Sequence, residues 1–138
     1  MIEATIKNHR QSPRKVRVVA DLVRGKKVSH ALNVLGVLNK RASDPIRGAI
    51  QAAVANAKHN FRLEPDRLFV KEIRIDEGVT LKRHMPRAHG SAAPINKRSS
   101  HIFVSLDTKG EEILPSPKHG EKKVVEVEAH EEMEHQHA

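Results

Sequence analysis

Residues 68–107 read LFVKEIRIDEGVTLKRHMPRAHGSAAPINKRSSHIFVSLD, and the changing period of that run decides the fold. Its two ends alternate. From Leu68 to Asp76, Phe69, Ile73 and Ile75 fall on one face with Lys71, while Val70, Glu72 and Arg74 fall on the other; from His101 to Asp107, Ile102, Val104 and Leu106 alternate with His101, Phe103 and Ser105. A period of two is the signature of strands. The stretch between them differs: Gly78 to Ser99 carries Lys82, Arg83, Arg87, Lys97 and Arg98 with no acidic residue, set among Pro86, Gly90 and Pro94. It holds too few large apolar side chains to offset the entropy of ordering its backbone. Alone it reads as a solvated or disordered loop, and it is ordered only by something negatively charged outside the chain. Joined to the flanking strands it becomes the far end of a long hairpin. If it stays extended and doubles back halfway, each arm adds roughly 35 Å at about 3.3 Å per residue, beyond the diameter expected of the globular part.

Upstream the period is helical. Ser12-Pro13 predicts a helix start with Ser12 as cap, followed by Val16, Val19, Ala20 and Val23 at helical spacing and ended by Gly25. The opposite face shows Arg14, Arg17, Asp21 and Arg24, and the turn adds Lys26 and Lys27. A second helix is expected from about Ser29 to Asn39, burying Ala31, Leu32, Leu35 and Leu38. For the third, Asp44 caps, Pro45 opens, and Ile46, Ala49, Ile50, Ala53, Val54 and Ala57 form a narrow stripe of small and branched residues suited to close approach. An early strand near Glu3 to Lys7 completes the set. The predicted class is α+β: three helices packed on a small three-stranded antiparallel sheet with a long extended β-hairpin. Residues 1–110 form the domain, including the hairpin at 78–99, and 111–138 form an acidic C-terminal tail.

The chain has 138 residues, 38% of them hydrophobic, enough for one domain with a modest core. Its 25 Lys and Arg against 17 Asp and Glu give a formal charge of +8. That average hides an asymmetry, because residues 1–110 hold 22 basic against 9 acidic side chains and residues 111–138 hold 3 against 8. The basic part favours a nucleic-acid partner. The Glu-rich tail, opened by Pro115, Pro117 and Gly120, is expected to be flexible and to stay off the same polyanion. No Cys is present, which removes disulfides and thiolate zinc sites and fits a reducing compartment. No apolar run approaches the roughly 18 residues of a membrane span, and Met1-Ile2-Glu3-Ala4-Thr5 lacks the apolar core of a secretion signal, so the expectation is a cytoplasmic protein with no membrane partner. Trp and Tyr are absent and Phe occurs three times, leaving few platforms for stacking bases. Contact with phosphate and folded shape is the better expectation.

Several ordered strings resemble the bacterial ribosomal large-subunit protein family L-twenty-two. They are Ser12, Lys15-Val16-Arg17, Val19-Ala20-Asp21-Leu22 and Arg24-Gly25-Lys26-Lys27; Ala55-Asn56-Ala57 and His59-Asn60; then Asp76-Glu77-Gly78, Lys82-Arg83, Pro86-Arg87-Ala88, Gly90 and Lys97-Arg98-Ser99-Ser100-His101-Ile102. Together they cover about residues 1 to 110. The resemblance implies a small α+β body on the outside of the large subunit and a hairpin that threads inward through rRNA. Its tip, carried onto Met85, Pro86, Arg87, Ala88, His89, Gly90 and Ser91, would help line the exit tunnel of the nascent polypeptide. The implied rRNA-binding residues are Arg14, Lys15, Arg17, Arg24, Lys26, Lys27, Lys82, Arg83, Arg87, Lys97, Arg98 and His101. The implied partners are large-subunit rRNA, neighbouring large-subunit ribosomal proteins and the nascent polypeptide, with no homo-oligomer. Two departures stand out: Ser91 where many relatives carry a further basic residue, and Val79 where a proline is common. Pro94 also removes an amide that a regular hairpin ladder could use.

Other readings compete. Arg14, Lys15, Arg17 and Arg24 also fit an ordinary exposed helix face. His59, His84, His89 and His101 lie near Asp76 and Glu77 in sequence, yet none forms a ligand spacing such as His-Glu-x-x-His, so no metal or cofactor is expected. His130, His135 and His137 offer at most weak adventitious metal binding. A free helix-turn-helix nucleic-acid-binding regulator, built on the first two helices, is the alternative function; its recognition helix would offer base edges only His30, Asn33 and Asn39. An RNA-processing enzyme ranks last, because no nucleophile, metal cluster or phosphate-cradling glycine loop is evident.

Overall fold

The computed structural model describes residues 2–108. In chain order the elements are β1 (Ile2–His9), α1 (Pro13–Val23), α2 (Val28–Val37), α3 (Ser43–Phe61), β2 (Leu68–Glu77), β3 (Leu81–Pro86), β4 (Ala92–Lys97) and β5 (Ser100–Thr108). Strands β1, β5 and β2 form an antiparallel sheet in that order, and β3 and β4 form a separate two-stranded ribbon. The alternation of β5 sets the core. Its Leu106 lies opposite Ile2 and Val70, its Val104 opposite Ala4 and Ile73, and its Ile102 opposite Ile6 and Ile75, so three apolar rows cross the sheet under the helices.

Strand β2 departs from the alternation expected of it. Val70 pairs with Leu106 and Glu72 with Ser105, so Lys71 is an extra residue in the ladder. The bulge changes the phase: Leu68 and Val70 are buried before it, and Ile73 and Ile75 after it. Phe69 is therefore half-buried and lies off the core face that holds Ile73 and Ile75.

Helix α1 buries Val16, Val19, Ala20 and Val23 as the spacing predicts, and Gly25 follows with φ +74°. Ser12 is at the N-cap, but its hydroxyl makes no cap; its backbone carbonyl instead accepts from the Lys15 and Val16 amides. Helix α2 starts at Val28 and ends at Val37; it buries Val28, Ala31 and Leu35, while Leu32 and Leu38 are half-buried. Helix α3 begins one residue before Asp44, and no side chain caps it. Asp44 sits in the first turn, where its charge opposes the positive end of the helix dipole. Ser43 is buried and its hydroxyl donates to the Leu38 carbonyl at 3.0 Å. Ala49, Ala53 and Ala57, four residues apart, let α3 lie close to its neighbours, and burying Ile46 and Ile50 contributes about 1.5–3 kcal/mol each. The Asn56 amide reaches the Glu3 carbonyl of β1 at 3.1 Å, tying α3 to one edge of the sheet.

The ribbon has no core of its own. Its register runs from Leu81 opposite Lys97 to Pro86 opposite Ala92, about 20 Å of paired strand. The Arg87 amide donates to the Ser91 carbonyl at 2.8 Å and closes the ladder. Hydrogen-bonded pairs alternate from that point, so Pro86 and Pro94 occupy positions whose backbone points outward. Pro94 therefore costs the ladder no bond, contrary to the sequence expectation.

Candidate nucleic-acid interface

Both faces of the ribbon are open. One carries Leu81, Arg83, Met85, Ala93, Ile95 and Lys97, and the other Lys82, His84, Pro86, Ala92, Pro94 and Asn96. Every residue of β3 is exposed. Cations thus stand on both sides of a ribbon whose two strands pair only with each other. At the tip, His89 (φ +57°) and Gly90 (φ +70°) are both left-handed, and the Ser91 hydroxyl donates to the Ala88 carbonyl at 2.9 Å. Ser91, where a cation was expected from relatives, closes this turn. Arg87, Ala88 and His89 are exposed there with Met85 and Pro86 beside them.

The root of the ribbon is tightly built. The Gly78 amide donates to the Ser99 carbonyl at 3.0 Å, and the buried Ser99 hydroxyl donates to the Val79 carbonyl at 2.7 Å. A Cβ on Gly78 would lie 2.5 Å from Ser99 Oγ and 3.3 Å from the His101 ring. His101 is half-buried, and its Nδ1 accepts from the Asn8 amide at 3.0 Å, which leaves the ring proton of the neutral form on Nε2. His101 thus serves the root of the ribbon, whatever else it touches.

The basic face of α1 divides in two. Arg14 and Lys15 are exposed with no ion pair among the described residues. Arg17 and Arg24 turn instead to the free edge of β2. The Arg17 guanidinium donates twice to the Ile75 carbonyl, at 3.0 and 3.3 Å. Arg24 donates to the Ile73 carbonyl at 3.0 Å and pairs with Asp21 at 2.7 Å. The turn continues this edge cover: the Gly25 amide donates to the Val70 carbonyl, and the Val70 amide donates to the Lys26 carbonyl. Lys26 is half-buried and Lys27 exposed.

Elsewhere on the sheet, Arg74 lies 4.9 Å above the Phe103 ring. The Lys71 ammonium donates to Asp107 at 2.7 Å; that hydrogen bond holds the Asp107 carboxyl below its usual range and the Lys71 ammonium above its own. No cluster of three or more metal-ligating side chains occurs among the described residues. Two cations outside the sequence-derived set belong with the ribbon's root: Arg10 and Arg41 lie in separate loops and face one cleft with Lys15, Lys97 and Arg98. Nothing local in the sequence links Arg10 to the Lys40-Arg41 pair.

Residues 4–107 match the family described as ribosomal protein L22p/L17e. The chain belongs to that family. Relatives named large ribosomal subunit protein uL22 include one from Desulfitobacterium hafniense, 55% identical over 102 residues, covering 74% of this chain and 90% of that protein. Another, from Herpetosiphon aurantiacus, is 51% identical over 105 residues, covering 76% and 93%. A third, from Lactobacillus helveticus, is 45% identical over 109 residues, covering 79% and 93%. As an L22p/L17e protein the chain is a structural ribosomal component and not an enzyme. The helix-turn-helix alternative also fits the fold poorly. The exposed face of α2 shows Ser29, His30, Asn33, Gly36 and Val37 with no cation. The acidic tail expected at 111–138 lies outside the described residues.

Proposed function

We propose that this L22p/L17e protein binds large-subunit rRNA, with its body on folded RNA and its ribbon, residues 78–99, threaded between RNA segments so that Met85 to Ser91 reach the wall of the polypeptide exit tunnel. The observation that carries this reading is a ribbon with no core, no carboxylate and cations on both faces. A two-stranded ribbon is marginal in water, and packing on both sides by a polyanion supplies what the chain omits. Small side chains at Ala88, Ala92 and Ala93 and glycine at the tip permit close backbone approach. The remaining contacts would come from Arg14, Lys15 and Lys27 on the body, with Arg17, Arg24, Lys26 and His101 contributing through groups not already engaged. Neighbouring large-subunit proteins and the nascent chain are the further partners, and the bacterial cytoplasm is the setting.

Affinity for large-subunit rRNA measured against salt tests the phosphate account. Replacing Lys82, Arg83, Arg87, Lys97 and Arg98 with Gln should lower the slope of log affinity against log salt by about 3.5–4.5, the range for five phosphate contacts. An unchanged slope would refute it. A photocrosslinker at Ala88 should capture a stalled nascent chain, and labelling of solvent-side proteins alone would refute the tunnel placement.

A further inference from the structure

Where the ribbon meets the body there is an open cleft of about 560 Å³. Five cations line it: Arg10 from the loop after β1, Lys15 from the first turn of α1, Arg41 from the loop before α3, Lys97 at the end of β4 and Arg98 beyond it. No carboxylate lines the cleft, and none of the five has an ion-pair partner among the described residues. Ser12 also faces it, with a hydroxyl not spent on capping α1. Five like charges from four chain segments, gathered without a counter-charge, repel one another until an anion enters. The volume far exceeds the roughly 30 Å³ share of one water, so the opening admits a phosphate chain as well as a single small ion.

The origin of the cations matters. Arg10, Lys15 and Arg41 belong to the body, while Lys97 and Arg98 belong to the ribbon's returning strand. Between the two sheets the ladder is interrupted: the body's pairing ends at Glu77 with Ser100, and the ribbon's starts at Leu81 with Lys97. The bonds from the Gly78 amide and the Ser99 hydroxyl bridge the gap. We propose that this cleft is a clamp for the phosphodiester backbone of RNA, which grips body and ribbon together and so fixes the direction of the ribbon. The ligand rests on the rRNA-binding reading above; the coupling to ribbon direction does not follow from it.

The full chain supplies the test, with inorganic pyrophosphate as the probe. Because the sequence has no cysteine, Gln51→Cys on exposed α3 and Ala92→Cys near the tip take spin labels at those two sites alone. Pyrophosphate should narrow the distribution of distances between the labels, and its saturable amide shifts should centre on Arg10, Ser12, Lys97 and Arg98. R10Q with R41Q should weaken pyrophosphate binding at least fivefold and abolish the narrowing, whereas R10K with R41K should retain both. Both arginines are exposed and make no described bond, and an otherwise unchanged amide spectrum verifies the fold of each variant. An unnarrowed distribution, shifts of equal size at Lys82 and Arg83, or narrowing that survives R10Q with R41Q would overturn the clamp. If the clamp fails while the chain still sediments with large subunits in high salt, the rRNA-binding reading stands without it.

Discussion

Gly78→Ala concentrates its effect on the junction between body and ribbon. The new methyl would sit 2.5 Å from Ser99 Oγ, well inside contact distance, and 3.3 Å from the His101 ring. The ring is held by the Asn8 amide, so the serine hydroxyl is the group that must move. Moving it breaks the 2.7 Å bond to the Val79 carbonyl in a site where Ser99 is only 4% exposed, so water does not readily replace it. Loss of the bond with an acceptor left partly unmet costs about 1–3 kcal/mol. Ser99→Ala alone loses the same bond without the clash and should cost about 1 kcal/mol. In the double variant the clashing atom is gone, so Gly78→Ala should add less than about 0.5 kcal/mol to the Ser99→Ala background. Urea unfolding of the wild type, both single variants and the double variant measures this coupling. Additivity of the two substitutions within about 0.3–0.5 kcal/mol would refute the steric account of Gly78.

Arg17→Met and Arg24→Met should each lower stability by about 0.5–1.5 kcal/mol through loss of bonds to the β2 edge, against less than about 0.5 kcal/mol for the unbonded Arg14→Met; equal costs in urea unfolding would argue against the edge-capping role. Asp107 has its carboxyl pKa lowered in the folded state, so its pair with Lys71 stabilises above the ordinary carboxyl value and the benefit fades as pH falls through the folded one. The raised Lys71 ammonium adds stability below its ordinary value that is lost only as pH rises through its folded one. The stability gap between wild type and Asp107→Asn should therefore be open at neutral pH and close as acid takes the pH below the lowered carboxyl value of Asp107, and a gap that widens in acid would contradict the pairing. Deleting Lys82 to Asn96 should leave the helical circular dichroism of the body and its cooperative unfolding in place, since no core residue lies in that stretch; global unfolding would show that the ribbon supports the body.

Helix faces and strand periods were readable because burial enforces them: Val16, Val19, Ala20 and Val23, or Ile102, Val104 and Leu106, have one face to hide. The phase of β2 was not readable. Phe69 and Val70 are adjacent and both apolar, and only pairing with β5 makes Lys71 the extra residue. Ser12 holds the N-cap position the sequence predicts but without a side-chain bond, and Asp44 falls inside the first turn rather than at the cap, because backbone carbonyls and loop geometry, which depend on tertiary placement, govern those ends. The candidate interface divides along the same line. The ribbon's cations show in sequence as an acid-free run, whereas Arg17 and Arg24 look identical to Arg14 until β2 is seen beside them. Arg10 and Arg41 lie in separate loops, and only the fold brings them to one cleft.

The two outward-facing prolines bear on how a ribbon without a core avoids pairing with itself in other copies of the chain. A bare ribbon offers two open strand edges, and a newly made chain must keep them from pairing with the same edges of its copies. Pro86 on one edge and Pro94 on the other each remove an outward donor at no cost to the ladder inside, and the Lys82 side chain adds like-charge repulsion. With neither edge able to extend a regular ladder through those positions, a ribbon without a core is guarded against cross-β association by the same two residues that leave its own pairing intact.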